Sequence, residues 1–349
     1  LGDPSRIREV IEKEMADVVA LGRPLLADPD LPRKMRDGRD DEVMECGSCL
    51  QGCLARVKGG GPIGCIINPE VGREERPPTI EVQPSGVQVV VVGGGPAGME
   101  AALLARGKGH NVTMFEKQAD LGGLFSLSYM TPGKERMKRP LDSMIKAVRR
   151  SGAIIHTNTE ATLEGIRAIG PSCVLVATGS QPIIPEIPGL DEPLTAEQVL
   201  HGHETGQRVL VLGGGMVGIE MAESLGLLGR EVVVIEMLDD VARDMEAVTR
   251  KLTMKRLASL PVTIHTETRL VRMEDGKAIV RDASGHGGEW SIGRFDSVIA
   301  AVGHRSNNAL TEKLREAGLN ASSIGDAIRP AQVFDATHSA YDTVMSNPD

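Results

Sequence analysis

Four cysteines stand close together in the chain. Cys46, Cys49, Cys53 and Cys65 follow a C-x2-C-x3-C-x11-C spacing. Clustered thiolates bind soft or borderline metals. Three cysteines packed together with a later fourth match a [4Fe–4S] cluster better than structural zinc, whose sites usually show two separated C-x2-C pairs. The spacing predicts an iron–sulfur centre, with zinc and free thiols as the alternatives. The fifth cysteine, Cys173, lies in an apolar run and is expected in the core.

A glycine-rich loop follows the cysteines. Gly93, Gly95 and Gly98 form G-x-G-x-x-G between the apolar run Val87–Val92 and a helical pattern. The first glycine permits a tight turn, the second lets a pyrophosphate approach the backbone, and the third lets helix and strand pack closely. Glu116 ends the next predicted strand, where its carboxylate can accept hydrogen bonds from a ribose. We therefore expect a dinucleotide at this loop.

A second loop repeats the same pattern. Gly213, Gly215 and Gly218 are followed by Glu236 at the end of the next predicted strand. A carboxylate at that place favours the free 2′-hydroxyl of NADH and repels the 2′-phosphate of NADPH. The repeat indicates duplicated nucleotide-binding folds, with NADH favoured at the second one.

The composition limits the possible functions. The chain has 349 residues, a formal net charge of -9, and 41% hydrophobic and 25% charged residues. These values are ordinary for a soluble protein of two or more domains. The acidic balance and an aromatic content of 2% argue against nucleic-acid or anionic-membrane binding. No apolar run approaches the ~18 residues of a membrane span. Clustered cysteines without a secretory signal favour a cytoplasmic location.

The remaining patterns predict an α/β protein. We expect a helix from Asp3 to Met15, a strand at Ala16–Leu21 and a helix at Leu31–Arg36. A longer helix is expected at Ala242–Leu260, and a hairpin around Asp275-Gly276. The expected domains are 1–40, a cysteine segment with a linker over 41–84, a first nucleotide domain over 85–200, a second over 201–302, and a return to the first over 303–349.

Several stretches resemble one family. They are Ala16–Lys34, the four cysteines, Ile67–Glu74, both glycine loops and Ile324–Ala327. Together they resemble the C-terminal part of the multidomain NADH:flavin oxidoreductases of the Old Yellow Enzyme superfamily, which includes 2,4-dienoyl-CoA reductase, enoate reductases and trimethylamine dehydrogenase. The resemblance implies two Rossmann-like domains of the glutathione-reductase type, with the FAD domain split by the NAD domain. They would be preceded by the last βα unit of an FMN-binding (β/α)8 barrel and the Fe–S segment.

The resemblance also implies roles for individual residues. Besides the loop glycines and Glu116, the residues implied for FAD are Pro96, Ala97, Lys117, Gly122, Gly123, Ala177, Thr178, Gly179, Gly325 and Asp326. Gly303 would join the second loop at NAD(P)H, and Gly22 and Arg23 would hold the FMN phosphate. No side chain is implied as a catalytic acid or base.

The function that the resemblance implies is electron input, from NADH through FAD and a [4Fe–4S] cluster to FMN. The parent enzyme would reduce an activated C=C bond, as in a 2,4-dienoyl-CoA or an enoate. An FMN barrel needs roughly 200 residues, so we expect this chain to be a fragment or to pair with a separate barrel subunit, with a homo-oligomer possible. The alternatives are a trimethylamine-type dehydrogenase, a glutamate-synthase small-subunit-like reductase and an ADP-binding module without catalysis.

Overall fold

The computed structural model describes residues 2–74 and 86–346. The predicted linker, Arg73–Pro84, lies mostly outside these residues. The chain divides into two compact units. The first contains Leu1–Tyr129, Lys134–Ser180 and Ser306–Asp349, and the second contains Met130–Gly133 and Gln181–Arg305. Among the described residues, no helix combines the length and apolar character required to cross a bilayer.

The helices of the described residues are α1 (Pro4–Glu12), α2 (Arg23–Ala27), α3 (Leu31–Arg36), α4 (Arg56–Lys58), α5 (Pro96–Gly107), α6 (Phe125–Ser128), α7 (Lys138–Arg150), α8 (Leu163–Ile169), α9 (Ala196–Leu200), α10 (Met216–Leu227), α11 (Ala247–Leu257), α12 (Ala309–Glu316) and α13 (Val333–Ser346). The strands are β1 (Gln88–Val92), β2 (Asn111–Phe115), β3 (Ile154–His156), β4 (Cys173–Val176), β5 (Ser180–Pro182), β6 (Leu194–Thr195), β7 (Arg208–Leu212), β8 (Glu231–Ile235), β9 (Val262–His265), β10 (Thr268–Glu274), β11 (Lys277–Asp282), β12 (Trp290–Arg294), β13 (Ser297–Ala300), β14 (His304–Ser306) and β15 (Ala321–Ser323).

The first unit is built on a parallel sheet with the order β15-β4-β1-β2-β3. Successive residues of β1 face opposite sides of this sheet, because side chains alternate along a strand. Val89 and Val91 pack into a core with α5, α7 and α13, whereas Val90 and Val92 pack with α8 and α12. Covering both faces in this way explains why β1 is a continuous apolar run.

The second unit repeats this design with the parallel order β6-β13-β7-β8-β9. Val209 and Val211 of β7 pack against α10 and α11. Leu210 and Leu212 face the other side, where the antiparallel sheet β10-β11-β12 covers them. The predicted hairpin around Asp275-Gly276 is the turn between β10 and β11, and it is confirmed. Both units therefore show the α/β architecture with parallel sheets that the sequence predicts.

The predicted strand at Ala16–Leu21 is wrong. These residues are irregular, and Val18 is 79% exposed. A strand needs a neighbour to accept and donate its backbone hydrogen bonds, and no described strand pairs with this segment. The N-terminal helices still form a small core of their own around Ile7, Leu31 and Val43.

The predicted helix at Ala242–Leu260 is also shorter than expected. Ala242 has a left-handed φ of 51° and donates its N–H to the Gly214 carbonyl at 2.7 Å. The helix begins only at Ala247, where the Glu246 carboxylate accepts from the N–H groups of Val248 and Thr249. The residues before α11 fold back onto the second glycine loop, because the Ala242 hydrogen bond holds them there.

Candidate functional site

The four clustered cysteines surround one small cavity. Cys46, Cys49, Cys53 and Cys65 all contribute to its wall, together with Arg23. Among the described residues, no group of three or more His, Cys, Asp or Glu side chains has the arrangement of a single-ion site. Four thiols that line one cavity are a donor set for a soft or borderline metal, such as iron or zinc.

The backbone around this cavity is unusual. Ser48 and Leu50 adopt left-handed φ values of 56° and 65°, a conformation that costs non-glycine residues energy and concentrates at functional sites. A single π-helical turn follows at Gln51–Ala55, and such turns often mark functional sites. These conformations wrap the first three cysteines around the cavity.

Two glycines that the sequence analysis missed bring the fourth cysteine to the other three. The Gly64 N–H donates to the Gly52 carbonyl at 2.7 Å. A Cβ at Gly52 would lie 2.7 Å from the Gly64 carbonyl, and a Cβ at Gly64 would lie 2.8 Å from the Phe334 ring. Only residues without a side chain allow this close approach. In the sequence, these two glycines could have been recognised because each stands directly before a cysteine, Cys53 or Cys65.

Burial sets the protonation of two of the cysteine thiols. Burial, with smaller contributions from the neighbouring cysteines, raises the pKa of Cys49 to about 12 and that of Cys65 to about 11. Backbone N–H groups oppose this rise: Gln51 bonds to Cys49, and Ile67 and Asn68 bond to Cys65. Buried thiolates that repel one another become stable when a cation replaces their protons, and the N–H groups point at the sulfurs that would carry the charge.

The first glycine loop lies at the end of β1, where α5 begins. Gly93 has a φ of +107°, and a Cβ on it would overlap the Ala177 carbonyl. A Cβ at Gly98 would overlap the Gly93 carbonyl, whereas one at Gly95 would meet nothing within 4 Å. The loop is therefore closed by Gly93 and Gly98 and open at Gly95, where a pyrophosphate can approach the backbone. Pro96 and Ala97 form the first turn of α5.

Glu116 follows β2 and holds this loop. Its Oε2 accepts from the Gly94 N–H at 2.6 Å and its Oε1 from the Gln118 N–H at 2.8 Å. Each carboxylate oxygen keeps a second lone pair for a ribose hydroxyl. Lys117, the next residue, is exposed.

The other residues implied for FAD lie in the same unit. Gly122 and Gly123 both have positive φ values, and a Cβ at Gly123 would lie 3.2 Å from the Gly95 Cα. The second glycine turn thus packs on the first loop. Thr178 donates from its hydroxyl to the Asn307 carbonyl at 2.5 Å, and Gly179 has a φ of +68°.

The late Gly-Asp pair is a short 3-10 turn. Gly325 has a φ of +60°. The Asp326 carboxylate accepts from the Ala331 N–H at 3.2 Å and from the Ser180 hydroxyl at 3.3 Å. It therefore joins the strand after Gly179 to the segment before α13.

The second glycine loop has the same construction in the second unit. Gly213 has a φ of +99°, and a Cβ at Gly218 would overlap its carbonyl. Glu236 accepts from the Gly214 N–H at 2.7 Å and from the Leu238 N–H at 2.8 Å. Gly303, between β13 and β14, also has a positive φ, of +108°.

One feature of the second loop was not expected. The Met216 N–H, at the start of α10, donates to Asp244 Oδ1 at 2.8 Å. A carboxylate therefore sits at the positive end of this helix, where a phosphate would also bind. No sequence pattern indicated this contact, because Asp244 lies in the segment that was predicted to be helical.

The residues implied for the FMN phosphate lie next to the cysteines. Gly22 precedes α2, and Arg23, the first residue of this helix, contributes to the wall of the cysteine cavity. Both residues are exposed. Cys173 is partly buried, packs against the core of the first unit and is not among the residues that line the cysteine cavity.

Comparison with known proteins identifies relatives of this architecture. The chain is 36% identical over 349 residues to an NADH oxidase from Thermoanaerobacter brockii, covering 97% of this chain and 53% of that protein. It is 32% identical to a cinnamate reductase from Clostridium sporogenes, covering 99% and 52%. A solved 2-naphthoyl-CoA reductase complex matches with a TM-score of 0.90 and 29% identity, covering 98% of this chain and 52% of that one. The chain thus spans about half the length of these relatives.

The chain also matches a described protein family. Residues 87–328 match the family described as pyridine nucleotide-disulphide oxidoreductase. They contain both glycine loops, both glutamates and the late Gly-Asp pair, and the family implies FAD and NAD(P)H as cofactors. The relatives are named as oxidases and reductases, and the chain is accordingly an oxidoreductase enzyme of the flavoprotein class. It belongs to the pyridine nucleotide-disulphide oxidoreductase family.

Proposed function

We propose that this chain is the electron-input half of an NAD(P)H-dependent flavin and iron–sulfur oxidoreductase. Electrons would pass from NADH, bound at Gly213–Gly218, to FAD at Gly93–Gly98, then to a [4Fe–4S] cluster at the four cysteines and on to FMN. The observation that carries this proposal is the convergence of Cys46, Cys49, Cys53 and Cys65 on one cavity, in the same compact unit as the first glycine loop.

The bound groups supply the redox chemistry, since flavins exchange hydrides and iron–sulfur clusters exchange single electrons. The protein supplies binding and orientation. Gly95 leaves its backbone open to a pyrophosphate, and Glu116 and Glu236 hold the two loops and would accept hydrogen bonds from the riboses. Backbone N–H groups would stabilise the charge on the cysteine sulfurs. No side chain is needed to move a proton in this half of the reaction.

We also propose the substrate class of the whole enzyme. Relatives named cinnamate reductase and 2-naphthoyl-CoA reductase act on conjugated carboxylate derivatives, so an activated C=C bond is the proposed substrate. Its site would lie in an FMN-binding barrel, either elsewhere in a longer chain or on a partner subunit. Arg23 and Gly22 would contribute to the FMN phosphate site.

The test is to load the protein anaerobically with iron and sulfide and measure the iron, zinc and labile sulfide bound per chain. We expect about four irons and four sulfides, and EPR of a reduced cubane cluster. Cys53→Ser should abolish this binding, and Cys173→Ser, which removes a thiol outside the cavity, should not. Stoichiometric zinc, or equal loss in both variants, would contradict the cluster assignment.

A second measurement tests the nucleotide sites. Protein containing FAD should lose its yellow colour when NADH is added anaerobically. A colourless protein that releases ADP on denaturation would instead identify a non-catalytic nucleotide-binding module.

A further inference from the structure

A larger cavity, which we call the arginine cavity, lies in the first unit beside the segment between Cys53 and Cys65. It has a volume of about 580 Å³. Its wall is formed by residues from the ranges 56–73 and 325–342, and both ranges belong to the first unit. Small-molecule sites usually measure about 300–1,000 Å³. The arginine cavity is therefore large enough for a small organic ligand.

The cofactor sites proposed above do not account for this cavity. Of the described residues implied for FAD, Gly325 alone contributes to its wall. None of the described residues of either glycine loop lines it, and none of the four clustered cysteines does. Arg56 and Ile63, which do line it, lie between the third and the fourth cysteine in the chain. A ligand bound here would consequently contact the cysteine-bearing segment from outside the cysteine cavity.

The charges around the arginine cavity sum to one positive charge. The charged side chains in its wall are Arg56, Arg73, Arg329, Asp335 and Asp342. Three guanidiniums and two carboxylates leave a single net positive charge. His338 also lines the wall and is neutral, because Nε2 donates to the Cys65 carbonyl at 3.0 Å and Nδ1 accepts from the Arg73 guanidinium at 3.2 Å. The wall is thus matched in charge to a monoanion.

Two of the three guanidiniums keep hydrogen-bond donors for a ligand. Arg73 uses one terminal nitrogen on the Asp342 carboxylate, at 2.6 Å, and the other on His338. Arg56 uses only Nε, which donates to the Pro62 carbonyl at 3.1 Å, so both of its terminal nitrogens remain available. Arg329 is exposed and forms no side-chain hydrogen bond or ion pair with any described residue.

The Arg56 guanidinium is also held in place. Its Cζ lies 4.7 Å from the centre of the Phe334 ring, which in turn stacks on the His338 ring with 3.7 Å between the ring centres. A donor that is already fixed loses little freedom when a ligand binds. Ile63 and Ile328 line the same cavity and are 38% and 58% exposed, so they offer apolar surface beside the guanidiniums.

We propose that the arginine cavity binds a small organic carboxylate, with its anion on Arg56 and Arg329 and its apolar body against Ile63 and Ile328. A planar carboxylate matches the fork of a guanidinium and can accept two parallel N–H bonds from it. Its single negative charge equals the net charge of the wall, whereas a phosphate ester carries about two. The inference needs neither iron nor a nucleotide, so it stands independently of the proposed function.

The test titrates the purified chain, without added iron or nucleotide, with benzoate and with its neutral analogue benzamide, by isothermal titration calorimetry. We expect a single benzoate site, and binding of benzamide weaker by about tenfold, because hydrogen bonds between two charged groups are the stronger ones. Arg329→Gln should weaken benzoate binding by about tenfold and leave benzamide binding unchanged. Arg149→Gln is the matched control, because Arg149 is also exposed and unpaired among the described residues but does not line the cavity. It should change neither affinity.

A second variant locates the bound benzoate. Ala331 is exposed and lines the cavity, so Ala331→Trp fills space without changing the charge and should weaken benzoate binding by about tenfold.

Equal affinity for benzoate and benzamide overturns the proposal, as does wild-type benzoate binding in Arg329→Gln or Ala331→Trp. Tighter binding of inorganic phosphate than of benzoate would also overturn it, since the cavity would then be a phosphate site. A chain that binds benzoate as expected but binds no iron disproves the proposed function and supports this inference.

Discussion

Among single residues, Glu236 is the one that we propose selects the nicotinamide cofactor of the second unit. Both of its carboxylate oxygens already accept backbone N–H groups of the surrounding loop, so the side chain is fixed, and we expect its charge to lie near the 2′-substituent of a bound cofactor. A fixed negative charge repels a phosphate more effectively than a mobile one, because it cannot turn away without losing two hydrogen bonds.

Replacement Glu236→Gln keeps the size of this side chain and removes its charge. We expect the preference for NADH over NADPH to fall about tenfold, about 1.4 kcal/mol in relative binding. The measurement is kcat/KM for both cofactors with an artificial electron acceptor. Glu116→Gln makes the same change at the first loop, where Glu116 bonds to Gly94, and should leave the NADH to NADPH ratio unaltered. A ratio unaffected by Glu236→Gln would show that other residues select the cofactor.

At the scale of elements, helix α5 contains a buried acid that makes stability depend on pH. Burial, with a smaller contribution from the nearby Glu70 carboxylate, raises the pKa of Glu100 to about 8. The unfolded chain releases the Glu100 proton at a pKa near 4.5, whereas the folded chain retains it up to about pH 8. The folded state therefore binds more protons across this window, and stability must fall as pH rises through it.

Replacement Glu100→Gln removes this titration. Between about pH 5 and pH 8, the free energy of unfolding of the variant should rise relative to wild type by up to about 1.4 kcal/mol per pH unit, and the difference should level off above pH 8. Urea unfolding at a series of pH values measures it. A difference that does not change with pH would mean that Glu100 is ionised in the folded protein.

The elements also show what could be predicted from sequence. The strand, glycine turn and helix of each nucleotide-binding unit were predictable, because each signal lies within a few adjacent residues. The predicted strand at Ala16–Leu21 was wrong, since strand formation depends on a partner strand from any part of the chain. The start of α11 depended on Ala242 bonding to the Gly214 carbonyl, a contact that no local pattern contains.

The candidate site was likewise predictable from the sequence only in part. The cysteine spacing predicted the cluster of thiols, but not the α13 residues that hold its backbone. Thr337 and His338 carry no recognisable motif, and they meet Ile66 and Cys65 only through the fold of the first unit. Residues that act through backbone contacts with distant parts of the sequence can be identified only from a structure.

At the scale of the whole molecule, each compact unit contains one dinucleotide loop of nearly identical construction. This duplication allows a matched test. A Cβ at Gly98 or at Gly218 would overlap the carbonyl of the first glycine of its own loop, so alanine must force that loop apart, at a cost of about 1–3 kcal/mol. A Cβ at Gly107, by contrast, meets nothing within 4 Å.

We expect Gly218→Ala to lose NADH binding while the protein still purifies with FAD, and Gly98→Ala to lose FAD. Gly107→Ala should change neither. Flavin absorbance of the purified protein and the Kd for NADH distinguish these outcomes. Loss of FAD in Gly218→Ala would indicate that the two units do not fold independently at their nucleotide loops.

The two glycine loops share one motif, but the Asp244 carboxylate at the start of α10 distinguishes the second loop from the first. A phosphate that arrives at the Met216 N–H must displace this internal anion, so part of its binding free energy is used to break an existing bond. The corresponding helix, α5, begins with Pro96, which has no N–H to hold such a competitor. We therefore expect the first loop to retain its nucleotide and the second to release its nucleotide readily, as a cosubstrate site must.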